Sequence, residues 1–351
     1  PYCRSKCPYC DFFSQVPRHL DQEAIINSYL ADLDYYHNLT PERQVSSIFF
    51  GGGTPSLLKP SLIEAVINHI GRLWHVSPTV EISLEANPNT DNGTLFTDLK
   101  HAGINRLSLG VQALNDSDLK FLGRTHSLSQ ALNSIDKVLN TFTNHSMDLI
   151  YARPRQTLSD WQAELAQAAS FGFKHLSLYQ LTIEDGTVFA RKGIQALSDD
   201  EAAPMYTYTC DYLRQHGYPR YEVSNFAQPA YHSRHNLLYW QGNDYLGIGP
   251  SAHGRLSLDG HFLALTHHLR QEELTPFERA EELLIMGLRL TEGINKNYFA
   301  KRCGLNFDDL CNLQKISEFT TLGLLINTSD SIRLTDSGFL VMNKIIEELF
   351  L

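Results

Sequence analysis

The first half of the chain alternates strand-like and helix-like runs, and this alternation constrains the fold more than any other feature of the sequence. The β-rich runs are predicted as strands over Val45–Phe50, Thr79–Glu85, Arg106–Val111, Ser146–Tyr151 and His175–Leu181. Helices are predicted between them over Pro60–Leu73, Thr94–Ala102, Ser129–Phe142 and Leu158–Phe171. Strands that alternate with helices form parallel sheets, and the functional residues of such sheets lie at the carboxyl ends of the strands. The sequence therefore predicts an α/β fold with a site at that edge.

The pattern changes after about residue 182. Glu201–His216 is predicted as a helix, Arg220–Val223 as a short strand, and the following residues as a loop to about Gly260. The last part is predicted to contain the helices Phe277–Leu290, Phe307–Leu322 and Asp336–Phe350 and the hairpin strands Leu324–Thr328 and Ser331–Leu334. Helices beside a small hairpin are typical of a winged-helix-like α+β module. We divide the chain into a barrel core (1–185), an extension (186–270) and this module (271–351).

Charge and hydropathy exclude several kinds of partner. The 351 residues contain 29 Lys and Arg against 39 Asp and Glu, which gives a net charge of -10. A chain of that sign repels phosphate, so no nucleic-acid partner is expected, and a protein-contact or lid role is favoured for the C-terminal module. No apolar run approaches the roughly 20 residues of a membrane span, and no secretory signal opens the chain. We expect a cytoplasmic protein without a membrane-inserted segment.

Three of the six cysteines fall within the first ten residues. Cys3, Cys7 and Cys10 form the pattern C-x3-C-x2-C, so one loop can turn three thiolates toward a common centre. Three thiolates suit a 4Fe–4S cluster with one open iron, which can chelate a substrate. One alternative is a structural zinc ion with a distant fourth ligand such as His232, in a zinc-stabilised βα protein. Another is a set of redox or inert thiols.

Polar and glycine-rich positions follow the predicted strands. Gly51-Gly52-Gly53-Thr54-Pro55 follows the first strand, where glycines let a backbone approach a ligand or simply make a tight turn. Glu85 ends the second strand and can accept hydrogen bonds from ribose hydroxyls, unless it is a surface acid. Arg124 suits a carboxylate, and Asp148 lies inside a strand where an unpaired acid is costly to bury. These last two residues could also form a structural ion pair.

The motifs together resemble a known family. They include CPYCDF, GGGTPSLL, LEANP, RLSLGVQ, LGRTH, DLIYARPRQT, YEVSNFA, HNLLYW and DYLGIGPSAHG. As a set they resemble the radical SAM superfamily, in the branch that holds oxygen-independent coproporphyrinogen III dehydrogenases and heme chaperones. The resemblance implies a partial (β/α)6 barrel with a C-terminal winged-helix-like module. We expect five of the six barrel strands here, with the first strand lying outside these residues.

The resemblance also implies cofactors and their residues. Cys3, Cys7 and Cys10 would bind the 4Fe–4S cluster, whose open iron takes S-adenosylmethionine (SAM). The residues that would contact SAM are Tyr9, Gly52, Gly53, Thr54, Glu85, Gln112, Arg124 and Asp148. One segment departs from the family, which often has Gly-x-Pro-Gly-Gln-Thr where this chain has Ala152-Arg153-Pro154-Arg155-Gln156-Thr157. The loss of two glycines changes a loop at a strand end and adds positive charge.

Two features separate the members of this branch. The dehydrogenases carry an additional Cys two residues after the third ligand, and Phe12 stands there in this chain. The segment from His235 to Trp240 matches H-N-x-x-Y-W, the heme-binding motif of the chaperones. His235 would ligate the heme iron, with Tyr239 and Trp240 against the macrocycle, unless it is a hydrogen-bonded loop histidine.

The resemblance therefore favours a heme chaperone that delivers heme to a respiratory acceptor protein, and it is compatible with transient contact with a membrane protein. The alternative is radical oxidative decarboxylation of coproporphyrinogen III. The sequence does not decide whether SAM is cleaved, so enzymatic activity stays open. His232 and His253 could line the same pocket as His235. His267-His268 is interpreted as a solvated pair. The other cysteines (Cys210, Cys303 and Cys311) are interpreted as core residues.

Overall fold

The computed structural model describes residues 1–91, 93–266 and 270–350, with the side chain of residue 270 left aside. His267 and His268 lie outside the described residues. The chain forms two compact units. The first comprises Pro1–Pro219 and Ser224–His232, and the second comprises Arg220–Val223 and Ser233–Leu351. No helix in the described ranges is both long and apolar enough to cross a membrane.

The first unit is built on a six-stranded sheet in which the strands follow one another in chain order. The strands are β1 (Gln44–Phe50), β2 (His75–Ala86), β3 (Arg106–Gln112), β4 (Asn144–Tyr151), β5 (His175–Gln180) and β6 (Asn225–Ala227). β1 to β5 are parallel, and β6 pairs antiparallel with β5. The sheet curls into a half-barrel.

Helices cover the outer face of this sheet. They are α1 (Gln22–Leu39), α2 (Pro60–Leu73), α3 (Leu95–His101), α4 (Asp116–Phe121), α5 (Leu128–Thr141), α6 (Leu158–Ser170), α7 (Val188–Arg191) and α8 (Asp199–Gln215). Several begin with capping boxes, such as Ser127 with Gln130 and Thr157 with Asp160, which satisfy free N–H groups of the first turn. The outward strand residues and the helices share one core that includes Leu84, Leu107 and Leu149.

The predicted α/β half-barrel is confirmed. All five predicted parallel strands are present within a few residues of their expected ends. The expected strand over Arg220–Val223 is wrong, because only single bridging residues occur there and the strand lies at Asn225–Ala227. This strand runs antiparallel at the edge of β5, an arrangement that the βα pattern does not contain.

The second unit contains two three-stranded sheets with helices. One sheet is an antiparallel meander of β7 (Gly254–Leu258), β8 (His261–Thr266) and β9 (Arg270–Leu274). The other contains β10 (Ile294–Asn295), β11 (Leu325–Asn327) and β12 (Ser331–Leu334). The helices are α9 (Arg234–Trp240), α10 (Pro276–Gly287), α11 (Lys296–Cys303), α12 (Phe307–Leu310), α13 (Leu313–Thr321), α14 (Asp336–Leu340) and α15 (Met342–Leu349).

The winged-helix-like module is present in this unit, with the hairpin β11–β12 as expected. Three local predictions are wrong. The loop expected up to Gly260 contains helix α9 and strand β7. The single helix expected over Phe307–Leu322 is divided, because Asn312 caps a new helix with its side chain. The final helix is likewise interrupted at Val341.

Candidate functional site

The three clustered cysteines lie on one loop near the carboxyl edge of the half-barrel. All three are free thiols and half-buried, and the Cys10 N–H donates to the Cys7 carbonyl to close a turn. The Cys3 sulfur accepts from the Thr54 hydroxyl at 3.5 Å, and the Cys7 sulfur accepts from the Arg124 guanidinium at 3.5 Å. Burial raises the pKa of the Cys10 thiol. The loop therefore presents three sulfur donors with a hydroxyl and a cation already directed at two of them.

The glycine-rich segment after β1 supports this cysteine loop directly. A Cβ atom on Gly53 would lie 2.6 Å from both the backbone nitrogen and the carbonyl oxygen of Tyr2, so only glycine allows this approach. The Thr54 N–H then donates to the Tyr2 carbonyl at 2.8 Å. Gly52 has a left-handed φ of 106° and donates its N–H to the Glu85 carboxylate at 3.2 Å. Gly53 and Thr54 thus hold the cysteine loop, and Gly52 faces Glu85.

Arg124 connects the cysteine loop to the strand ends. Its guanidinium donates to the Cys7 sulfur, to the Asn87 side-chain oxygen and to the Gly110 carbonyl, the last at 3.1 Å. Tyr9 lies beside it, and burial raises the pKa of Tyr9 although Arg124 opposes that change. The Tyr9 ring also packs near Phe189, with 6.4 Å between the ring centroids. A cation and an aromatic ring therefore stand next to the cysteine sulfurs.

Glu85 and Asp148 are two neighbouring acids at the end of β2 and on β4. Loss of solvent around Glu85, together with the nearby Asp148 carboxylate, raises the pKa of Glu85 to about 7. Burial also raises the pKa of Asp148, although hydroxyl donors and Arg106 oppose it. The Ser108 hydroxyl lies 2.9 and 3.0 Å from the two Asp148 carboxylate oxygens. Each acid thus has donors that can hold its ionised form, and neither is an exposed surface carboxylate.

A structural ion pair is the alternative interpretation of Arg124 and Asp148. Among the described residues, each has other partners. Arg124 contacts Cys7, Asn87 and Gly110, and Asp148 contacts serine hydroxyls. The ion-pair interpretation is therefore not the arrangement in this fold.

The inner face of the half-barrel is polar, and the sequence analysis missed this. Alternate strand residues point to one face. On that face the strands contribute Glu81, Ser83, Glu85, Arg106, Ser108, Ser146, Asp148, His175 and Ser177. The Ser146 hydroxyl pairs with His175 Nδ1 at 2.7 Å, and Ser177 also donates to Asp148. The signal was available as a serine two residues before Glu85, before Asp148 and after Arg106. The site residues therefore rest on a layer of hydroxyl groups.

His232 lies near this inner layer. The pKa of His175 is lowered well below its ordinary value by burial and by the charges of Arg106 and His232. His232 therefore lies beside β5.

Across the described part of the chain, no three His, Cys, Asp or Glu side chains converge as ligands of one metal ion. A 4Fe–4S cluster does not require such convergence, because each thiolate binds a different iron. The donor set of three half-buried thiols on one loop fits the cluster.

Gln112 occupies an unusual backbone conformation where β3 ends. Its φ of 74° is left-handed, and the register with β4 shifts between Gly110 and Gln112. A Cβ atom on Gly110 would lie 2.9 Å from the Gln112 side-chain nitrogen, so this side chain lies over Gly110. Non-glycine residues in this region are costly and are concentrated at functional sites. The backbone thereby turns the Gln112 amide toward the Arg124 end of the site.

The loop that departs from the family pattern keeps a glycine-like backbone. Ala152 has φ 55° and Arg155 has φ 68°, so both non-glycine residues are left-handed at the two positions where the family often has glycine. Between them, Arg153 is 2% exposed and pairs with Asp118 at 2.8 Å and Glu164 at 2.6 Å. Both residues therefore hold a left-handed backbone at a steric cost, and the buried network of Arg153 lies between them.

An open, concave pocket lies beside the cysteine loop. Its lining residues are Arg4, Ser5, Cys7, Thr54, Asn87, Asn89, Thr90, Gly123, Arg124 and Thr125. The lining is polar and includes one of the cluster cysteines together with Thr54 and Arg124. The pocket therefore offers polar groups to a ligand beside the cysteine loop, whereas Glu85, Gln112 and Asp148 do not line it.

The predicted heme residues lie on helix α9 of the second unit. Ser233 caps this helix, and none of its residues is fully buried. The rings of His235 and Tyr239 are 5.7 Å apart, and those of Tyr239 and Trp240 are 4.6 Å apart. His235 is therefore helical, and the alternative of a loop histidine is wrong in its secondary structure. The helix presents a partly exposed row of aromatic rings beginning at a histidine, and this donor set fits a heme.

The carboxyl end of α9 is held firmly by two arginines. Beyond the last helical residue, Trp240, Gly242 has a φ of 71° and closes a Schellman motif, in which the Asn243 N–H donates to the Leu238 carbonyl and the Gly242 N–H donates to the Tyr239 carbonyl. The freed Gly242 carbonyl accepts from Arg279 at 2.5 Å and from Arg302 at 2.7 Å. A Cβ atom on Gly242 would lie 1.9 Å from Leu283 Cδ2. Helices α10 and α11 thus fix the end of α9.

The remaining residues that the sequence analysis names lie at different places in the fold. Phe12, which stands where the dehydrogenases have an additional Cys, is 59% exposed. Cys303 and Cys311 are buried, as expected, and Cys210 is half-buried against the core of the first unit. His126 also belongs to the LGRTH motif. It is buried against the Val111 carbonyl, and burial together with Arg124 lowers its pKa to about 4.

Comparison with protein-family descriptions matches two parts of the chain. Residues 1–168 match the radical SAM superfamily, and residues 274–341 match the HemN C-terminal domain. These ranges contain, respectively, the cysteine loop with the SAM candidates and the helices that hold α9.

Full-length relatives and one solved structure are also similar. Radical S-adenosyl methionine domain-containing protein 1, mitochondrial, of Bos taurus is 34% identical, over 99% of this chain and 85% of that protein. The heme chaperone HemW of Buchnera aphidicola is 33% identical, over 99% of this chain and 96% of its own length. The structure of coproporphyrinogen III oxidase (HemN) from Escherichia coli superposes with a TM-score of 0.81 at 20% identity, over 99% of this chain and 87% of that one, which shows a shared fold.

Proposed function

Because this chain belongs to the radical SAM superfamily and to the family of the HemW heme chaperones, we propose that it binds heme and delivers it to a respiratory acceptor protein. The observation that carries this proposal is helix α9, where His235, Tyr239 and Trp240 form one partly exposed row of rings. A neutral imidazole is a suitable axial ligand for heme iron, and flanking aromatic rings can pack on a porphyrin.

We propose that the first unit holds a 4Fe–4S cluster through Cys3, Cys7 and Cys10, with SAM bound from the adjacent pocket toward the strand ends. The bound cluster would supply an open iron and an electron source at that pocket. Tyr9, Arg124, Glu85 and Asp148 would hold SAM from the strand ends, while Gly53 and Thr54 support the cysteine loop. Gln112 and Gly52 would complete the contacts. The polar lining and the ready hydrogen-bond donors support this assignment.

Titration with iron protoporphyrin IX tests the heme assignment. His235→Ala should lose the absorption spectrum of histidine-ligated heme that the unchanged protein gives. His261→Ala is a matched control, because His261 is an exposed histidine of the same unit that pairs with Glu273 at 2.6 Å. Equal spectra for the unchanged protein and the His235 variant would show that His235 is not the ligand.

Anaerobic reconstitution with iron and sulfide tests the cluster assignment. We expect an iron–sulfur charge-transfer band that disappears in Cys7→Ala and persists in Cys210→Ala, whose cysteine packs against the core. Tight zinc binding without iron would contradict the cluster and favour the zinc-stabilised alternative.

The competing function is oxidative decarboxylation of coproporphyrinogen III in heme biosynthesis. Coproporphyrinogen III, SAM and a reductant should give no decarboxylated product, since Phe12 supplies no thiol at the position where the dehydrogenases have one. Turnover in that assay would replace heme delivery with dehydrogenase activity. Transfer of bound heme to an apo-acceptor, measured alongside, tests delivery itself. The cytoplasmic location stays a prediction.

A further inference from the structure

Two hydrogen-bond donors beside the aromatic row of α9 have no acceptor within the described ranges. The indole N–H of Trp240 is buried and makes no hydrogen bond. Next to it, the guanidinium of Arg289 lies 5.6 Å from the centroid of the Trp240 ring. Unlike Arg255, Arg279 and Arg302 of the same unit, the Arg289 side chain forms no ion pair or hydrogen bond with any described residue. A half-buried cation and a buried N–H thus stand together without an anion.

The described residues around Arg289 provide no close anionic partner for its guanidinium. Burial lowers the pKa of Arg289, and Glu222 and Tyr239 act on it only at longer range. Glu222 is itself buried and has its own partners. In a chain with a net charge of -10, a partly desolvated arginine without a carboxylate contact is unusual. Buried donors in folded proteins are normally paired, and an exception calls for an explanation such as a ligand.

We propose that Arg289 and the indole N–H of Trp240 form a carboxylate site that takes a propionate of the bound porphyrin. Arginine suits this ligand because its planar fork matches a carboxylate with two parallel hydrogen bonds. The inference rests on the proposed heme binding and names a contact that orients the ligand on α9.

The rings of α9 and the Arg289 guanidinium follow one another closely enough to contact a single porphyrin. His235 is 5.7 Å from Tyr239, Tyr239 is 4.6 Å from Trp240, and the Arg289 guanidinium follows at 5.6 Å. A heme carries its iron at the centre and its two carboxylates along one edge. A ligand that meets His235 with its iron can therefore extend across Tyr239 and Trp240 and direct a carboxylate at Arg289. Rotation of the porphyrin about the iron–histidine bond would then be restricted.

A comparison of the free acid with its ester isolates the carboxylate contact. Iron protoporphyrin IX and its dimethyl ester are titrated into the reconstituted full chain and followed by visible absorption. The unchanged protein should bind the free acid about tenfold more tightly, which corresponds to about 1.4 kcal/mol. Arg289→Gln should lose that preference while its affinity for the ester stays the same. Trp240→Phe removes the indole N–H and alters a ring placed against the macrocycle, so it should lose the preference whatever its affinity for the ester. Arg333→Gln, which removes an exposed arginine of the same unit, should keep it.

Two further arms separate the carboxylate site from the heme assignment and from misfolding. Metal-free protoporphyrin IX and its dimethyl ester, followed by fluorescence, report the carboxylate contact without an iron–histidine bond. In this arm the preference for the acid should depend on Arg289 and not on His235. Arg289→Lys keeps the positive charge and should therefore retain part of the preference for the acid. If Arg289 only packed over Trp240, the preference would not follow the charge of this side chain.

The outcomes are distinct. Equal binding of acid and ester by the unchanged protein, or an unaltered preference in Arg289→Gln, overturns the carboxylate site. A preference that depends on Arg289, combined with no spectral effect of His235→Ala, supports the carboxylate site and rejects His235 as the iron ligand.

Discussion

Lowering the pH through neutrality should weaken SAM binding, because it protonates Glu85. Burial and the neighbouring Asp148 raise the pKa of Glu85 to about 7, against the opposing hydrogen bond from Gly52 and the charge of Arg106. The proposed contact of Glu85 is with ribose hydroxyls, and an ionised carboxylate is the better acceptor for both of them. Binding should therefore follow the ionised fraction of this one side chain.

The magnitude follows from the position of that pKa. With a pKa of about 7, the ionised fraction falls from about nine-tenths at pH 8 to about one-tenth at pH 6. If only the ionised form binds, the affinity falls about tenfold, or about 1.4 kcal/mol. A glutamate at its ordinary value of 4.5 would be ionised throughout this range and would give a flat profile. The raised pKa also destabilises the ligand-free fold as the pH rises from 4.5 to about 7, because the folded state keeps a proton that the unfolded chain has lost.

The assay is calorimetric titration of SAM into anaerobically reconstituted protein between pH 6 and pH 8. Glu85→Gln should bind more weakly and show a flat profile. Asp148→Asn removes the neighbouring negative charge, so the midpoint of its profile should move to lower pH whatever its overall affinity. A flat profile for the unchanged protein, or a Glu85 variant with the original slope, would refute the reasoning.

Four substitutions test the local energetics by urea unfolding followed by circular dichroism. Ala152→Gly and Arg155→Gly relieve left-handed backbone strain and should each raise the free energy of unfolding by about 0.5–1 kcal/mol; a loss would show that both residues fit their conformation without strain. Arg153→Met leaves the buried Glu164 without its cation and should cost about 3–5 kcal/mol, whereas a neutral result would mean that the network holds nothing. Gly242→Ala forces a contact with Leu283 at a left-handed residue and should cost about 1–3 kcal/mol, with faster amide exchange in α9 as the local signature; unchanged exchange would contradict the tight fit.

The half-barrel was predictable because its signal is local and repeated. Each strand places apolar residues such as Leu84 and Leu107 on the helix-covered face, and capped helices follow at regular intervals. Such runs are recognised from hydrophobic periodicity alone. Strand β6 carries no such signal, since three residues at the edge of β5 are too few for a period. Its position depends on pairing with distant residues, which propensity does not encode.

Helix α9 was missed for a related physical reason. It has seven residues, and its aromatic, leucine and histidine content matches an irregular segment as well as a helix. The cap at Ser233 and the glycine at Gly242 are both visible in the sequence, but nothing between them has an apolar period. Its helical state depends on partners that lie some 40 to 60 residues later in the chain.

The sequence predicts the candidate reactive side chains of the site, but it does not predict the hydroxyl groups that surround them. Cysteine spacing singles out Cys3, Cys7 and Cys10, and Glu85 is recognised as an acid at a strand end and Asp148 as an acid inside a strand. The hydroxyls around Asp148 depend on strand register, since Ser108 pairs with Ser146 and Asp148 pairs with Ser177 across neighbouring strands. A shift of one residue would turn these side chains to the opposite face. Register is a property of the assembled sheet, so a single strand cannot reveal it.

The C-terminal module has a structural role that its winged-helix outline does not suggest. A helix of seven residues is too short to persist alone in water, so α9 requires external stabilisation. Arg279 on α10 and Arg302 on α11 supply it by donating to the single carbonyl at Gly242, where the helix dipole is negative. Both arginines lie within residues 274–341, the range that matches the HemN C-terminal domain. Because these arginines hold one end of α9, the orientation of His235 depends on helices α10 and α11, which contribute no heme-ligand candidate themselves. Changes in the module therefore act on α9 through Gly242.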